Sequence, residues 1–304
     1  MIPIVTLEGP TASGKSDLAL RLAAELGTEI ISADSRQVYL YLDIGTAKPP
    51  SEDLEAVKHH LTGIIEPSEA YNVGRFCADA RKIIQELHQQ GKIPIVCGGT
   101  GLYVAGLLRG IFPQIPIPAA IRSELKQRLA SEGLAALYDE LKERDPDFAA
   151  RISSQDRQRV LRGLEVYQAT GIPITRHWSN QAAGSPYRAF RILLDPPRQV
   201  LYERINRRIG QMLESGLLEE IKAVLAKGFN ATDPGLNSLG YKEFLPHILE
   251  CADLDECVQL AAQHTRNYAK RQCTWYRKYK FHLTLGSPEC ILSEVTGHLA
   301  AWLD

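Results

Sequence analysis

Cysteine pairs, long apolar runs, charge of one sign and internal repeats are all missing from this sequence of 304 residues. Its six cysteines form no CxxC pair and have no histidine at matching spacing, so zinc sites and disulfide frameworks give way to reduced, buried thiols. No apolar stretch approaches the roughly 20 residues that span a bilayer. The run from Met1 to Leu7 is short, lacks a basic flank and leads into a glycine motif where a leader would have a cleavage site. A cytoplasmic protein without membrane association is expected. The formal net charge of -1, from 35 Lys and Arg against 36 Asp and Glu, excludes a uniformly basic protein. It leaves local basic faces possible, because nucleic-acid binding depends on where the cations sit. No isolated apolar stripe demands a partner, and a monomer is expected.

What is present is ordinary globular composition, 44% hydrophobic and 23% charged. The length suits two domains, or one large unit with an insertion. Ile2 to Leu7 is a β-branched run of the buried parallel type. From Asp17, apolar residues at 18, 19, 22, 23 and 26 mark a helical face that stops at Gly27. Residues 29–33 read as a strand ending at Asp34, 76–90 as a helix closed by Gly91, and 93–97 as a strand running into Gly98-Gly99. This alternation predicts an α/β fold, a P-loop-like core with a doubly wound parallel sheet.

The texture changes at the Pro-rich connector Phe112-Pro113-Gln114-Ile115-Pro116-Ile117-Pro118. From Ala119 to about Thr170 the period is helical with no strand candidate, and a second break follows at 171–173 and 184–186. Residues 188–194 resume the sheet, helices cover 199–227 and 254–279, and 281–285 is a last strand. The expected organisation is a core over 1–111, an all-helical insertion over 112–186, and the rest of the core with basic helices over 187–304.

Gly9-Pro10-Thr11-Ala12-Ser13-Gly14-Lys15-Ser16 fits GxxxxGK[ST], with a strand before it and a helix after it. Gly9 and Gly14 let the backbone turn its N–H groups inward, and the helix start adds its positive dipole end. Lys15 supplies a point charge between phosphates, and the Ser16 hydroxyl can hold Mg²⁺. The loop therefore predicts a bound di- or triphosphate, as in nucleotide- and ATP-binding proteins, and is silent about the reaction. No Asn-Lys-x-Asp guanine motif accompanies it, and the nearest Walker B candidate, Leu193-Leu194-Asp195, runs straight into Pro196. Asp34, at a strand end where ligands of such sheets sit, can hold a metal-bound water or accept a proton. It can equally form an Asx turn or helix cap. Gly98-Gly99-Thr100-Gly101 ends a strand on the same rim, and Thr100 can meet a phosphate or a substrate, or simply turn the chain.

Cations cluster in three places: 151–162, the set Arg204, Arg207 and Arg208, and the stretch 264–280, which has no acidic residue. In that stretch Tyr268, Trp275, Tyr276 and Tyr279 offer rings to bases or to the core. His59-His60 lacks a third ligand at metal spacing and reads as structural or surface.

Taken in order, these segments resemble the tRNA dimethylallyltransferases, also called tRNA isopentenyltransferases. The resemblance is carried by the 9–16 loop, by Ile31-Ser32-Ala33-Asp34-Ser35-Arg36-Gln37-Val38-Tyr39, by Asp43-Ile44-Gly45-Thr46-Ala47-Lys48-Pro49, and by Gly98-Gly99-Thr100-Gly101-Leu102-Tyr103. It continues through 156–162, Gly240-Tyr241-Lys242-Glu243 and Lys270-Arg271-Gln272 to Trp275. It departs at Thr62-Gly63, at Asn72-Val73-Gly74-Arg75-Phe76 and at Asn237-Ser238-Leu239, none of which removes an expected catalytic group.

The resemblance implies transfer of a dimethylallyl group from dimethylallyl diphosphate to N6 of the adenosine just 3′ of the anticodon, in tRNAs that read codons beginning with U. It implies Mg²⁺ as cofactor, the anticodon stem-loop of tRNA as partner, and flipping of the target base into a channel. Asp34 matches the family's general base and Thr100 the residue that orients the amine. Lys15, the loop amides, Ser16 and Arg208 would neutralise the leaving diphosphate. The tRNA-contacting positions map onto Asp34, Ser35, Arg36, Gln37, Thr100, Arg122, Gln158, Arg159, Val160, Leu161 and Arg162. A bacterial-type member is expected, since no zinc-finger extension follows the last helix. The competing readings are a P-loop kinase of a nucleotide or metabolite, and an RNA-binding module without catalysis.

Overall fold

The computed structural model describes residues 1–110, 115–179, 185–287 and 292–303. The chain divides into two compact units, residues 1–109 with 185–304, and residues 110–184. The larger unit begins with β1 (Ile2–Glu8), α1 (Lys15–Glu25), β2 (Ile30–Ser32), α2 (Ser51–Ala56), β3 (His59–His60), α3 (Val73–Gln89), β4 (Ile95–Gly98) and α4 (Gly101–Arg109). The smaller unit holds α5 (Ala119–Arg144), α6 (Pro146–Ala149), α7 (Arg157–Thr170) and α8 (Ile174–Ser179). The larger unit resumes with β5 (Tyr187–Leu194), α9 (Arg198–Glu214), α10 (Leu217–Ala226), α11 (Leu245–Glu250), α12 (Leu254–Tyr276), β6 (Leu283–Leu285) and α13 (Leu292–Leu303).

The fold is α/β. The six strands form one sheet in the order β3-β2-β4-β1-β5-β6, and each adjacent pair is parallel. A parallel sheet is covered on both faces, so its central strand must be apolar on both. β1 satisfies this with Ile4, Val5 and Leu7 fully buried. Parallel pairing also brings the C-terminal ends of β1, β2 and β4 to one rim, with Glu8 opposite Gly98 and Ser32 opposite Cys97. That rim is where doubly wound sheets bind ligands.

Two polar groups are buried within β1. Glu8, 1% exposed, accepts a two-pronged pair from Arg191 of β5 at 2.9 and 3.0 Å and a bond from Thr6 at 3.0 Å. Arg191 also lies over the rings of Tyr279 and Phe281, 5.2 and 4.6 Å from their centres. Burial raises the Glu8 pKa, and the Arg191 guanidinium opposes that rise.

Several elements differ from the sequence reading. The helix expected over 199–227 is two helices, because Gly216 takes φ 94 between them and begins α10 anew. The helix placed at 76–90 starts at Val73, since the Asn72 side chain accepts from the N–H groups of Gly74 and Arg75. The unusual 72–75 segment is thus a helix cap. His59-His60, read as structural or surface, is an edge strand on β2, and His60 Nε2 meets Glu29 at 2.6 Å.

The smaller unit has its own core of Leu125, Leu137, Leu141, Phe148, Val160 and Leu164. α5 is kinked at Gly133, φ 83, and residues on both sides of the kink, Leu125 before it and Leu137 and Leu141 after it, enter the same core. Asp145, 2% exposed, joins two helices of this unit, accepting from Phe148 N at 3.1 Å, Thr175 N at 3.0 Å and the Thr175 hydroxyl at 2.7 Å. Of the residues in the sequence reading, Phe112, Pro113, Gln114 and Gly184, together with one of the six cysteines, Cys290, lie outside the described residues.

Candidate active site

The glycine loop links the buried end of β1 to α1. A Cβ on Gly9 would stand 2.7 Å from the carbonyl oxygen of Leu194, so only glycine lets β5 run this close. Gly14 caps α1 at φ 90, ψ 11 without any side-chain cap bond, which leaves the first helical N–H groups to an outside acceptor. Lys15 folds back over the loop, and its Nζ donates to the Pro10 carbonyl at 3.1 Å. Burial lowers its pKa below the ordinary 10.5; Cys97 and Asp34 oppose this, and Arg208 adds to it. Burial also pushes the Cys97 thiol up to about 12, so near neutrality it stands beside Lys15 as a neutral thiol. The Ser16 side chain, first in the helix after Lys15, is exposed.

Asp34 follows β2. Its Oδ1 accepts from the backbone N–H groups of Arg36 at 2.8 Å and Gln37 at 3.4 Å, an Asx turn that leaves Oδ2 uncommitted among these bonds. The Asx turn of the sequence reading is thus present, and Asp34 also lines the cleft. Thr100 ends the neighbouring strand loop. Its hydroxyl oxygen accepts the Ser35 N–H at 3.0 Å, and its own N–H donates to Ala33 O at 3.1 Å. Gln37 turns inward, taking a bond from Ser32 Oγ at 3.1 Å and donating to Ala47 O at 2.9 Å.

The opposite wall comes from α9 and α12. Arg208 is half-buried, and burial together with neighbouring Arg204 lowers its pKa while Asp34 opposes the change. Arg204 reaches the carbonyls of Ala12 and Ser13 at 3.5 and 3.4 Å. Arg207 points outward. Lys270 and Arg271 on α12, and Arg277 and Lys278 in the turn after it, are exposed, whereas Tyr276 is buried and Tyr268 lines the cleft. The rings of this basic stretch therefore serve the core and the site wall.

A cleft of about 310 Å³ gathers Thr11, Lys15, Asp34, Arg36, Arg208 and Gln272, with an apolar side of Ile205, Ile209, Met212 and Leu239. A second hollow of about 290 Å³ shares Lys15, Asp34 and Arg208 and extends to Gly14, Ser16 and Gln37. Thr100 joins this site through Ser35. Arg122 and residues 158–162 belong to the other unit. There Arg122, Gln158 and Arg159 are exposed, and Leu161 and Arg162 half-buried. Val160 is fully buried in that unit's core, so it shapes α7 from within and offers no surface to an RNA. Among the described residues, no three His, Cys, Asp or Glu side chains gather as a metal site.

Some site residues carried no role in the sequence reading. Glu220 of α10 accepts the N–H groups of Asp43 and Ile44 at 2.9 and 2.8 Å, while the Tyr241 hydroxyl donates to it at 2.7 Å. It thereby holds the 43–47 loop as a wall of the cleft. Glu243, 3% exposed, accepts from Gly240 N and faces His264 Nδ1, both at 2.8 Å. Glu243 lies in the Gly240-Tyr241-Lys242-Glu243 segment and Glu220 in no motif; the distant partners of both come only with folding.

No helix among the described residues is long and apolar enough to cross a membrane. The sequence matches the IPP transferase family over residues 37–279. It is 44% identical over 278 residues to a tRNA dimethylallyltransferase of Syntrophobacter fumaroxidans, covering 91% of this chain and 81% of that one. A tRNA dimethylallyltransferase 1 of Trichlorobacter lovleyi is 42% identical over 299 residues, covering 98% and 97%. Among solved structures, a full-length tRNA isopentenylpyrophosphate transferase from Bacillus halodurans superposes with a TM-score of 0.73 at 36% identity, covering 99% of this chain and 96% of that one. A eukaryotic dimethylallyltransferase caught acting on tRNA superposes at 0.81 with 30% identity, over 94% of this chain and 74% of the other. With the phosphate loop, Asp34 and Thr100 brought to one rim, and relatives matched over nearly the whole length, the chain belongs to the tRNA dimethylallyltransferase (IPP transferase) family.

Proposed function

We propose that this chain transfers a dimethylallyl group from dimethylallyl diphosphate to N6 of adenosine 37, just 3′ of the anticodon, in tRNAs reading codons that begin with U. The observation that carries this reading is the pairing, in one cleft, of a phosphate-binding loop with a carboxylate, Asp34, whose Oδ2 is free of the turn that Oδ1 makes. N6 attacks C1 of the allyl group, the C1–O bond breaks, and diphosphate departs with the bonding pair. Asp34 takes the N6 proton. Thr100 orients the amine, and Lys15, Arg208 and the loop amides offset the charge that grows on the leaving oxygen.

A divalent cation, Mg²⁺ by the chemistry of oxygen ligands, fits this donor set. The exposed Ser16 hydroxyl at the loop's end would supply one protein oxygen, beside oxygens of the diphosphate and water. When bound, such a cation neutralises charge on the leaving group. The exposed cations of α12, with Arg122, Gln158, Arg159 and Arg162 of the insertion, would meet the anticodon stem-loop, whose target base must be flipped out to react. Val160 and Leu161 would support that surface from beneath. The protein would act as a monomer in the cytoplasm.

The test is incubation with labelled dimethylallyl diphosphate, Mg²⁺ and an anticodon stem-loop containing consecutive adenosines. Label in the RNA without ATP is expected. Phosphate transfer from ATP with no prenylated base would overturn the reading in favour of a kinase.

A further inference from the structure

The carboxamide of Gln272 on α12 bonds to two different loops. Its Oε1 accepts the backbone N–H of Thr11 at 2.8 Å, and its Nε2 donates to the carbonyl of Gly99 at 2.7 Å. The residue is only 7% exposed. Thr11 lies in the phosphate loop, and Gly99 immediately precedes Thr100. Under the transferase reading above, on which this inference rests, the first loop holds the leaving group and the second orients the attacking amine.

The same helix stripe makes two neighbouring contacts. Four residues on, the Tyr276 hydroxyl donates to Gly9 O at 3.4 Å. Four residues back, the Tyr268 side chain approaches Thr100. Spacing by four keeps all three side chains on one face. The loops themselves touch: a Cβ on Gly99 would lie 3.4 Å from Gly9 O, 3.6 Å from Lys15 Nζ and 2.5 Å from Gln272 Nε2. Only a glycine leaves room for the carboxamide between them.

We propose that Gln272 is a positioning residue that sets the phosphate loop against the Thr100 loop, and so sets the distance over which the prenyl carbon and the amine must meet. The bonding demand is specific. One end of the planar group must accept and the other must donate, which glutamine does in a single rotamer. An ionised glutamate would face the Gly99 carbonyl with a second acceptor. A protonated glutamate would restore the donor.

The experiment compares wild type with Gln272→Ala and Gln272→Glu, measuring kcat and both KM values for prenyl transfer to the stem-loop. A displacement of about 1 Å between reacting groups can cost about 10²-fold, so Gln272→Ala is expected to lower kcat by about 10- to 100-fold. Both KM values should stay within about threefold, because neither substrate loses a direct contact. Gln272→Glu should be impaired at about pH 8 and should regain activity relative to wild type at about pH 5.5, as its buried carboxyl takes a proton. Equal melting temperatures and pyrophosphate affinities for wild type and Gln272→Glu exclude misfolding as the cause. An unchanged kcat, a rise confined to KM, or a flat ratio of Gln272→Glu to wild type across this pH range would overturn the proposal. Absence of prenyl transfer by wild type would instead overturn the transferase reading.

Discussion

Ser35 donates its backbone N–H to the hydroxyl of Thr100 at 3.0 Å, which ties the turn carrying Asp34 to the loop after β4. Asp34 makes an Asx turn on one side of this bond, and the Tyr268 side chain approaches Thr100 on the other. A carboxylate and a hydroxyl from strands that are neighbours in space, yet 66 residues apart by their numbers 34 and 100, are thus held as one unit.

Thr100→Val keeps the shape of the side chain and removes its oxygen. The Ser35 N–H loses its acceptor, and the target amine loses its guide. We expect kcat to fall by about 10- to 100-fold by the same misplacement argument, with Thr100→Ser recovering most of it. Steady-state kinetics on the two variants checks this. Equal activity of Thr100→Val and wild type would remove Thr100 from the chemistry.

Asp34→Asn separates the two uses of this side chain. Asparagine can still accept from Arg36 N and Gln37 N, so the turn and tRNA affinity should persist. It cannot take a proton, and kcat should drop by the 10²- to 10⁴-fold typical of general acid-base catalysis. If binding and rate decline together by similar factors, Asp34 positions the substrate and does no proton transfer.

Arg191→Met leaves Glu8 buried without its cation. Breaking such a pair costs about 3–5 kcal/mol when the remaining group stays charged. Burial holds the Glu8 pKa above its ordinary value even with Arg191 present, so the folded protein binds this proton more tightly than the unfolded chain does. Its contribution to stability is complete below the unfolded value near 4.5 and is lost as pH rises through the folded value. The deficit of Arg191→Met should therefore be small in acid and grow toward neutrality. Urea denaturation of both proteins at several pH values measures it. A deficit that does not change with pH would show that Arg191 acts through its packing on Tyr279 and Phe281 alone.

Arg159→Ala tests the insertion. The side chain is 60% exposed and meets Asp156 at 3.3 Å, an arrangement that adds little to stability. If Arg159 neutralises an RNA phosphate, tRNA affinity falls and the slope of log affinity against log salt lessens by about one. Filter binding across a salt series reads both. An unchanged slope would place the RNA elsewhere.

Much of this site is legible along the chain because its parts are local. A phosphate loop needs its glycines, lysine and serine within eight positions, and the strand before and helix after it show their own periods. Asp34 and Thr100 are legible for a related reason, since each ends a short apolar strand and parallel strands must share a rim. The helical insertion likewise shows itself by a change of period between proline-rich breaks.

Other features have no local signature. Gln272 lies in a segment of the resemblance but has no role there until folding places Thr11 and Gly99 at its two ends. Glu220 looks like one more charge on α10, yet it holds the backbone of a loop some 175 positions earlier. The buried Val160, inside a segment otherwise suited to RNA, follows from which face of α7 meets its own core. The sequence by itself determined the elements, their alternation and the chemistry of the loops, because propensity, hydrophobic period and turn residues act over a few neighbours. Only the tertiary structure decided which polar groups became struts and which stayed open to substrate, because hydrogen bonds are satisfied by whatever folding brings near.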